Sequence, residues 1–353
     1  MIKKISLKNV RKFKSKSFLI NSEKVILSGL NAAGKTTVLE AISLTSITKS
    51  HRTNYLKEII LEQEPFADIK ITADKEYRIV LSNKGKVVMI NNIEQKKLSD
   101  YIGKFPSVFF SPNDLEIVFG SPSVKRQFIN QEISQISTKY LHNLNLYNKL
   151  LQERNSCLKE MTENSDTKIL DVITNELIEI AKKIISSREK FIEEINKEIN
   201  EIHQKLNENE QINLIYQPSV TIENIEEVFK NKKQLDITSH QTNYGVHRDD
   251  VIFCINGKNA AKFASQGQQR TLVLALKLGE LEIIKEKTGY APILLLDDVL
   301  AELDETRQNY LLKSIEKDTQ TIITSVDTLL FEDEFLKDVE IYTIKNGQIK
   351  STP

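Results

Sequence analysis

The chain has 353 residues, with 49 Lys and Arg balanced by 49 Asp and Glu, and 40% of it is hydrophobic. That length exceeds one ordinary core, so two lobes are expected, and the composition is that of a folded chain rather than a disordered tail. No apolar run is long enough to span a membrane, residues 1–6 lack the apolar stretch of a secretory leader, and Cys157 and Cys254 with five His give neither a CxxC pair nor a zinc spacing; a reduced cytoplasmic setting is expected.

Charge is unevenly spread, with 12 Lys and Arg against 3 Asp and Glu in residues 1–60. Such a region either faces a polyanion or is a set of solvated Lys-rich strands and loops. Residues 2–7 alternate, 17–20 follow as strand, and 23–27 run into Gly29-Leu-Asn31-Ala32-Ala33-Gly34-Lys35-Thr36-Thr37. This fits G-x-x-x-x-G-K-[ST], and the helical periodicity of 37–44 completes the strand, glycine loop and helix that phosphate binding needs. Gly29 and Gly34 let backbone N–H groups turn onto phosphates at a helix N-terminus, and Asn31, Ala32 and Ala33 are small enough for close approach. Lys35 is placed for the β- and γ-phosphates, Thr36 Oγ1 for Mg²⁺ and Thr37 for the α-phosphate of ATP.

Residues 67–95 alternate around a turn at 83–85 and predict an antiparallel hairpin. From 124 to 210 there is no Pro or Gly, and Leu170, Ile173, Leu177, Ile180, Ile184, Phe191, Ile195, Ile199, Ile202 and Leu206 recur mostly at three- and four-residue steps. That seam suits a coiled-coil hairpin, with a turn at 161–166, or a helical lobe packed on itself. Strand character returns at 251–255, and Ser265-Gln-Gly267-Gln268-Gln269 opens a helix over 271–287. Strands at 292–296 and 320–324 and a hairpin over 339–350 complete the chain. The expected organisation is a split nucleotide-binding lobe, 1–122 and 241–353, with a helical, coiled-coil-like lobe inserted at 123–240.

The strand at 292–296 ends in Asp297-Asp298 and leads to Glu302-Leu303-Asp304. A carboxylate at Asp297 would hold Mg²⁺ through water, and Asp298 sits where a general base polarises the attacking water. Glu is common there in ABC-type ATPases, and the shorter Asp predicts slow hydrolysis, a timed switch rather than a motor. The Ser-x-Gly-Gln motif makes the nucleotide binder ABC-type. In ABC geometry Ser265 Oγ, the Gly267 N–H and the helix dipole would face the γ-phosphate of an opposite protomer, which implies an ATP-sandwiched homodimer.

An ABC-transporter ATPase subunit is an alternative. It predicts a shorter stretch between Lys35 and Ser265, a switch His and Glu at 298, whereas no His follows His247. A structural clamp with negligible hydrolysis is a second alternative, kept open by Asp298. His247-Arg248-Asp249 is either catalytic or a structural hydrogen-bond cluster linking the lobes. His51-Arg52 either reaches phosphate or DNA or caps a helix, and Thr324 or Ser325 stands near the place of a switch His.

The motifs above occur with Lys49-Ser-His-Arg-Thr53, Phe110-Ser-Pro-Asn-Asp-Leu115, Gly120-Ser-Pro122 with Lys125-Arg126, Tyr140-Leu141 with Leu151-Gln-Glu-Arg154-Asn155, and Gly245-Val-His247-Arg248-Asp249-Asp250. In this combination the chain resembles, over almost its full length, the RecF family of bacterial recombination-mediator ATPases, ABC-type and related to structural-maintenance-of-chromosomes proteins. The resemblance implies an α/β ABC-type ATPase head with an inserted helical lobe. Lys35 and Thr36 would contact phosphate and magnesium, Asp297 the metal, and Asp298 would be the base. Ser265, Gly267 and Gln268 would be trans contacts, with Asp304 in the loop crossing the dimer seam. It further implies ATP-dependent dimerisation on duplex DNA near single-strand gaps, with RecR and RecO as partners in loading RecA, in the nucleoid-associated cytoplasm. The DNA-contact candidates read from charge are Lys8, Arg11, Lys12, Lys14 and Lys16. Against the family pattern, Val246 replaces Pro, Ala301 replaces Ser and Lys12 replaces Asn.

Overall fold

Alternation at the N-terminus produces an antiparallel meander. In a computed structural model, Lys4–Val10 pairs with Phe13–Leu19 on one side and Phe66–Thr72 on the other, and Glu76–Ser82, Gly85–Ile90 and Ile93–Glu94 follow in order. The structure describes all residues except 54, 163–164, 208, 316–317, 329–330, 332, 346 and 353. Ile5, Leu7, Ile69, Ile71, Tyr77, Ile79 and Leu81 are buried along one face of the meander, as a two-residue side-chain period requires.

A second six-stranded sheet takes strands from both ends of the chain, in the order Gln348–Thr352, Val339–Lys345, Lys24–Ser28, Thr321–Ser325, Ile293–Asp297 and Ser107–Phe110. The last five run parallel, and Gln348–Thr352 pairs antiparallel at the edge. Uninterrupted apolar runs such as Val25-Ile26-Leu27 and residues 293–296, all buried, are what a parallel sheet covered on both faces demands. Helix Lys35–Ile47 touches strands of both sheets and is buried nearly all round, so it shows no amphipathic stripe. These elements form one compact unit, residues 1–114 with 276–353, and residues 115–275 form the other.

In the second unit, helices Thr138–Glu160 and Lys168–Leu206 lie antiparallel, with Leu158 near the end of the first against Leu170 near the start of the second. The expected turn at 161–166 includes 163–164, outside the described residues. Most of the seam read from the sequence is buried, Leu170, Leu177, Ile184, Phe191, Ile195, Ile199 and Ile202 among it. The long helix also covers a three-stranded sheet, Lys258–Asn259, Asp250–Ile255 and Ile212–Gln217. Asn196 brackets the Leu214 backbone at 2.7 and 2.8 Å, and Asn200 Oδ1 accepts from Ile212 N at 3.1 Å. Of the two readings of the seam, a lobe packed on itself describes this unit.

The inserted unit runs to Ala275, beyond the boundary expected at 240, and contains strands as well as helices. The reason is the ladder between Asp250–Ile255 and Ile212–Gln217, a pairing between distant segments that leaves no trace in local periodicity. The chain leaves this unit within helix Gln266–Thr288. Among the described residues no helix is long and apolar enough to cross a membrane.

Candidate functional site

Strand Lys24–Ser28 delivers the glycine loop and helix Lys35–Ile47 carries it away. Gly29 has φ +151°, and a Cβ there would lie 2.3 Å from the Ile344 carbonyl oxygen; Gly34 has φ +116°, and a Cβ there would meet Lys12 Cε and the Phe13 ring at 2.8 Å. Both positions therefore exclude a side chain by backbone conformation and by space. Asn31 and Ala32 are exposed, whereas Ala33 and Thr37 are buried. Lys35 is only 3% exposed, and its Nζ donates to the carbonyls of Gly29 at 2.6 Å and Leu30 at 3.3 Å. The ammonium is thus folded over the loop it follows.

The acid pair lies in the same unit, at the end of strand Ile293–Asp297, which Thr321–Ser325 separates from strand Lys24–Ser28. Thr36 Oγ1 donates to Asp297 Oδ1 at 2.9 Å, and Thr324 Oγ1 donates to the same oxygen at 2.9 Å. The Asp298 N–H in turn donates to Thr324 Oγ1 at 2.8 Å. Burial pushes the Asp297 carboxyl up, against the pull of the Thr36 and Thr324 hydroxyls, with Asp298 adding like-charge repulsion. Asp298 has φ +53°, in the left-handed region, which Asp tolerates better than most residues. Thr36 and Asp297 are hard oxygen donors that suit Mg²⁺, which binds few protein groups and keeps water and phosphate for the rest. Among the described residues no group of three or more His, Cys, Asp or Glu could hold a metal ion.

One group escaped the sequence reading. Glu40, 1% exposed on the helix after the loop, accepts from Arg11 at 2.8 and 3.1 Å, from Arg52 at 3.2 Å and from Ser50. Burial raises its carboxyl, but hydrogen bonds from Arg11 and Ser50 and the two guanidinium charges hold it below the ordinary range. The available signal was an acid within an otherwise apolar helical run. Beside it, His51 stacks on Phe109 at 3.7 Å, and burial pushes its imidazole down to about 4.

The five basic candidates for DNA do not share one surface. Arg11 is turned onto Glu40, and Lys12 Nζ bonds the Ala32 carbonyl, against the phosphate loop. Strand register places Lys16 on the face of Leu7, while Lys8 pairs with Ser15 on the opposite face. Lys16 bonds Gln348, and Lys14 is exposed.

In the second unit, Ser265-Gln-Gly-Gln268 forms a capping box. Gln268 N donates to Ser265 Oγ at 3.3 Å and Ser265 N donates to Gln268 Oε1 at 2.8 Å, at the start of helix Gln266–Thr288. Ser265 is exposed, so this helix N-terminus presents its N–H groups and dipole to the outside. Gln268 Nε2 also reaches Glu210 at 2.8 Å. Asp304, in the first unit, caps helix Glu305–Ser314 by accepting from Arg307 N at 3.0 Å. His247 has both ring nitrogens engaged, with Tyr147 OH at 2.8 Å and the Thr242 carbonyl at 3.1 Å, and burial lowers it to about 4. It is a neutral structural imidazole within the second unit, the hydrogen-bonding reading of the two, and it links elements of that one unit.

Comparison with known proteins agrees with this architecture. A family model described as an AAA domain matches residues 4–213. The DNA replication and repair protein RecF of Geobacillus sp. (strain WCH70) is 40% identical, over 98% of this chain and 97% of that protein. A solved structure of the recombination mediator protein RecF-ATP in the RecFOR pathway superposes with a TM-score of 0.92 at 32% identity, covering 100% of this chain and 97% of that one. An Smc head domain with an extended coiled coil, bound to the C-terminal domain of ScpA, from Pyrococcus furiosus, gives a TM-score of 0.55 at 16% identity over 99% of this chain and 95% of that one, a likeness of fold alone. With an ABC-type α/β ATPase fold and this identity over almost its whole length, the chain belongs to the RecF family.

Proposed function

We propose that the chain is an ATP-dependent DNA-binding protein of recombinational repair and replication-fork maintenance. The observation that carries this reading is the cluster of Thr36, Asp297, Thr324 and Asp298 beside the Lys35 loop, in a chain of the RecF family. Lys35 exchanges the Gly29 and Leu30 carbonyls for β- and γ-phosphate oxygens, while N–H groups of residues 31–37 wrap the phosphate chain. Thr36 and, through water, Asp297 would hold Mg²⁺, which would supply neutralisation of phosphate charge. Asp298 accepts the proton of the attacking water, and its short side chain keeps turnover slow.

The exposed N-terminus of helix Gln266–Thr288, with Ser265, Gly267 and Gln268, completes the site of a second copy across the γ-phosphate, and Asp304 lies at that seam. ATP thereby drives a homodimer that binds duplex DNA near single-strand gaps in the cytoplasm and helps load RecA with RecO and RecR; hydrolysis releases it. Asp in place of Glu at 298 favours one second reading, a clamp in which binding acts and hydrolysis hardly does.

Anisotropy of a labelled gapped duplex, with ATP, ADP or neither, tests the proposal. ATP-dependent retention that Lys35→Ala abolishes and Asp298→Asn prolongs is the expected result. Retention that ignores nucleotide would overturn it, and release at the same rate in Asp298→Asn would favour the clamp.

A further inference from the structure

Strand Thr321–Ser325 runs parallel to Ile293–Asp297, with Thr324 directly beside Asp297 in register. Its hydroxyl is a junction. It accepts the Asp298 N–H at 2.8 Å, donates to Asp297 Oδ1 at 2.9 Å, and lies 3.3 Å from Asp298 Oδ1. Thr324 is 1% exposed, so water does not compete for these bonds. Ser325, the other hydroxyl at the end of this strand, is buried and its Oγ has no hydrogen-bond partner among the described residues.

Asp298 is one methylene shorter than the Glu common at this place, so its reach depends on where the backbone turns. That backbone is in the left-handed region at φ +53°, a conformation that L-residues adopt only at a cost. The one side-chain atom that receives its N–H is Thr324 Oγ1.

We propose that Thr324 is a positioning residue for the acid pair: its hydroxyl pins the left-handed turn that aims the short Asp298 carboxylate and at the same time orients Asp297 beside Thr36. The assignment rests on the reading of Asp297 and Asp298 as the metal acid and base of ATP hydrolysis. The β-branched frame fits this task, because Thr has few χ1 choices and the hydroxyl cannot swing away cheaply.

Two measurements test it on the full chain. The first is amide hydrogen exchange at Asp298 by NMR without nucleotide. Thr324→Val keeps the shape and removes the acceptor, so exchange at Asp298 should speed up by about tenfold or more, while Thr324→Ser keeps the wild-type rate. The second is ATP turnover in a double-mutant cycle. Thr324→Val should lower kcat by roughly 10–100-fold, the cost of a misaimed group, while ATP affinity changes by less than about threefold. Thr324→Ser should recover most of the rate, and Thr324→Val should cost clearly less in an Asp298→Asn background than in wild type, because the part of its effect that passes through the Asp298 carboxylate is already lost there and only the part through Asp297 remains.

Unchanged exchange at Asp298 in Thr324→Val overturns the inference, as does a loss of turnover that multiplies in full with Asp298→Asn. Failure of the underlying reading has another signature: wild type then shows no Lys35-dependent turnover, and the proposal falls with it even if the exchange pattern holds.

Discussion

Each unit buries a polar cluster built from similar groups, and the two differ in whether charge is matched. In the second unit, Arg188 donates to Asp249 Oδ2 at 2.5 Å, to the Val246 carbonyl at 2.8 Å, to Asn130 at 2.9 Å and to Tyr140 at 3.1 Å. Asp249 also accepts from Ser219 N at 2.8 Å and from Tyr216. Arg154 pairs with Asp236 at 2.8 Å in the same unit, with both side chains almost wholly buried. In the first unit, Asp297 and Asp298 sit side by side with the hydroxyls of Thr36 and Thr324 as partners of their carboxylates, and neither has an ion pair among the described residues. A buried cluster whose charges cancel holds the fold together. One that keeps a surplus of negative charge next to a lysine loop fits the proposal that a cation and an anion enter there together.

If that distinction is right, substitutions in the two clusters should fail in different ways. The largest expected effect is on chemistry: Asp298→Asn should cut ATP turnover by about 10²–10⁴-fold with little change in thermal unfolding. A matching fall in unfolding temperature would make this cluster structural too. Next, Arg188→Met should cost about 3–5 kcal/mol in urea unfolding, because Asp249 is left buried and unpaired. Below the unfolding transition that variant should still bind ATP within about threefold of wild type. A smaller effect sets both regions against acid. The buried imidazoles of His51 and His247 protonate near 4 when folded and near 6.5 when unfolded, so the unfolded chain binds more protons between those values. Stability should fall as pH drops through that window, by about 1 kcal/mol per histidine between roughly pH 7 and 5.5. His247→Asn should flatten half of that slope in urea titrations, and an unchanged slope would contradict the assignment. The smallest effect is at the exposed capping box, where Ser265→Ala should cost about 0.5 kcal/mol of helix and protein stability.

The two regions were also unequally legible in the sequence. The strand, glycine loop and helix could be read because Gly29 and Gly34 stand where positive φ and absent Cβ space are required, and the strand ending at Asp297 because it is a bare apolar run. Both constraints are local. The second unit's boundary was misplaced because strand Asp250–Ile255 finds its partner far back in the chain at Ile212–Gln217. Arg188 sits in the middle of a helix whose pattern gives no sign that this guanidinium is buried; only the folded positions of Asn130, Tyr140 and Asp249 reveal it. Glu40 escaped in the same manner, and Thr324 could be placed only near the position of a switch His, since each draws partners from separate segments.

The central claim is that the Lys35 site of one copy is closed by the Ser265 motif of another. Mass in solution with Mg²⁺, with and without ATP, for wild type and Ser265→Arg in the presence of a short duplex, tests it most directly. Wild type should form an ATP-driven dimer that retains DNA, and the Ser265→Arg variant should bind ATP yet stay monomeric. A wild-type chain that binds ATP but remains a monomer without affinity for DNA would contradict it.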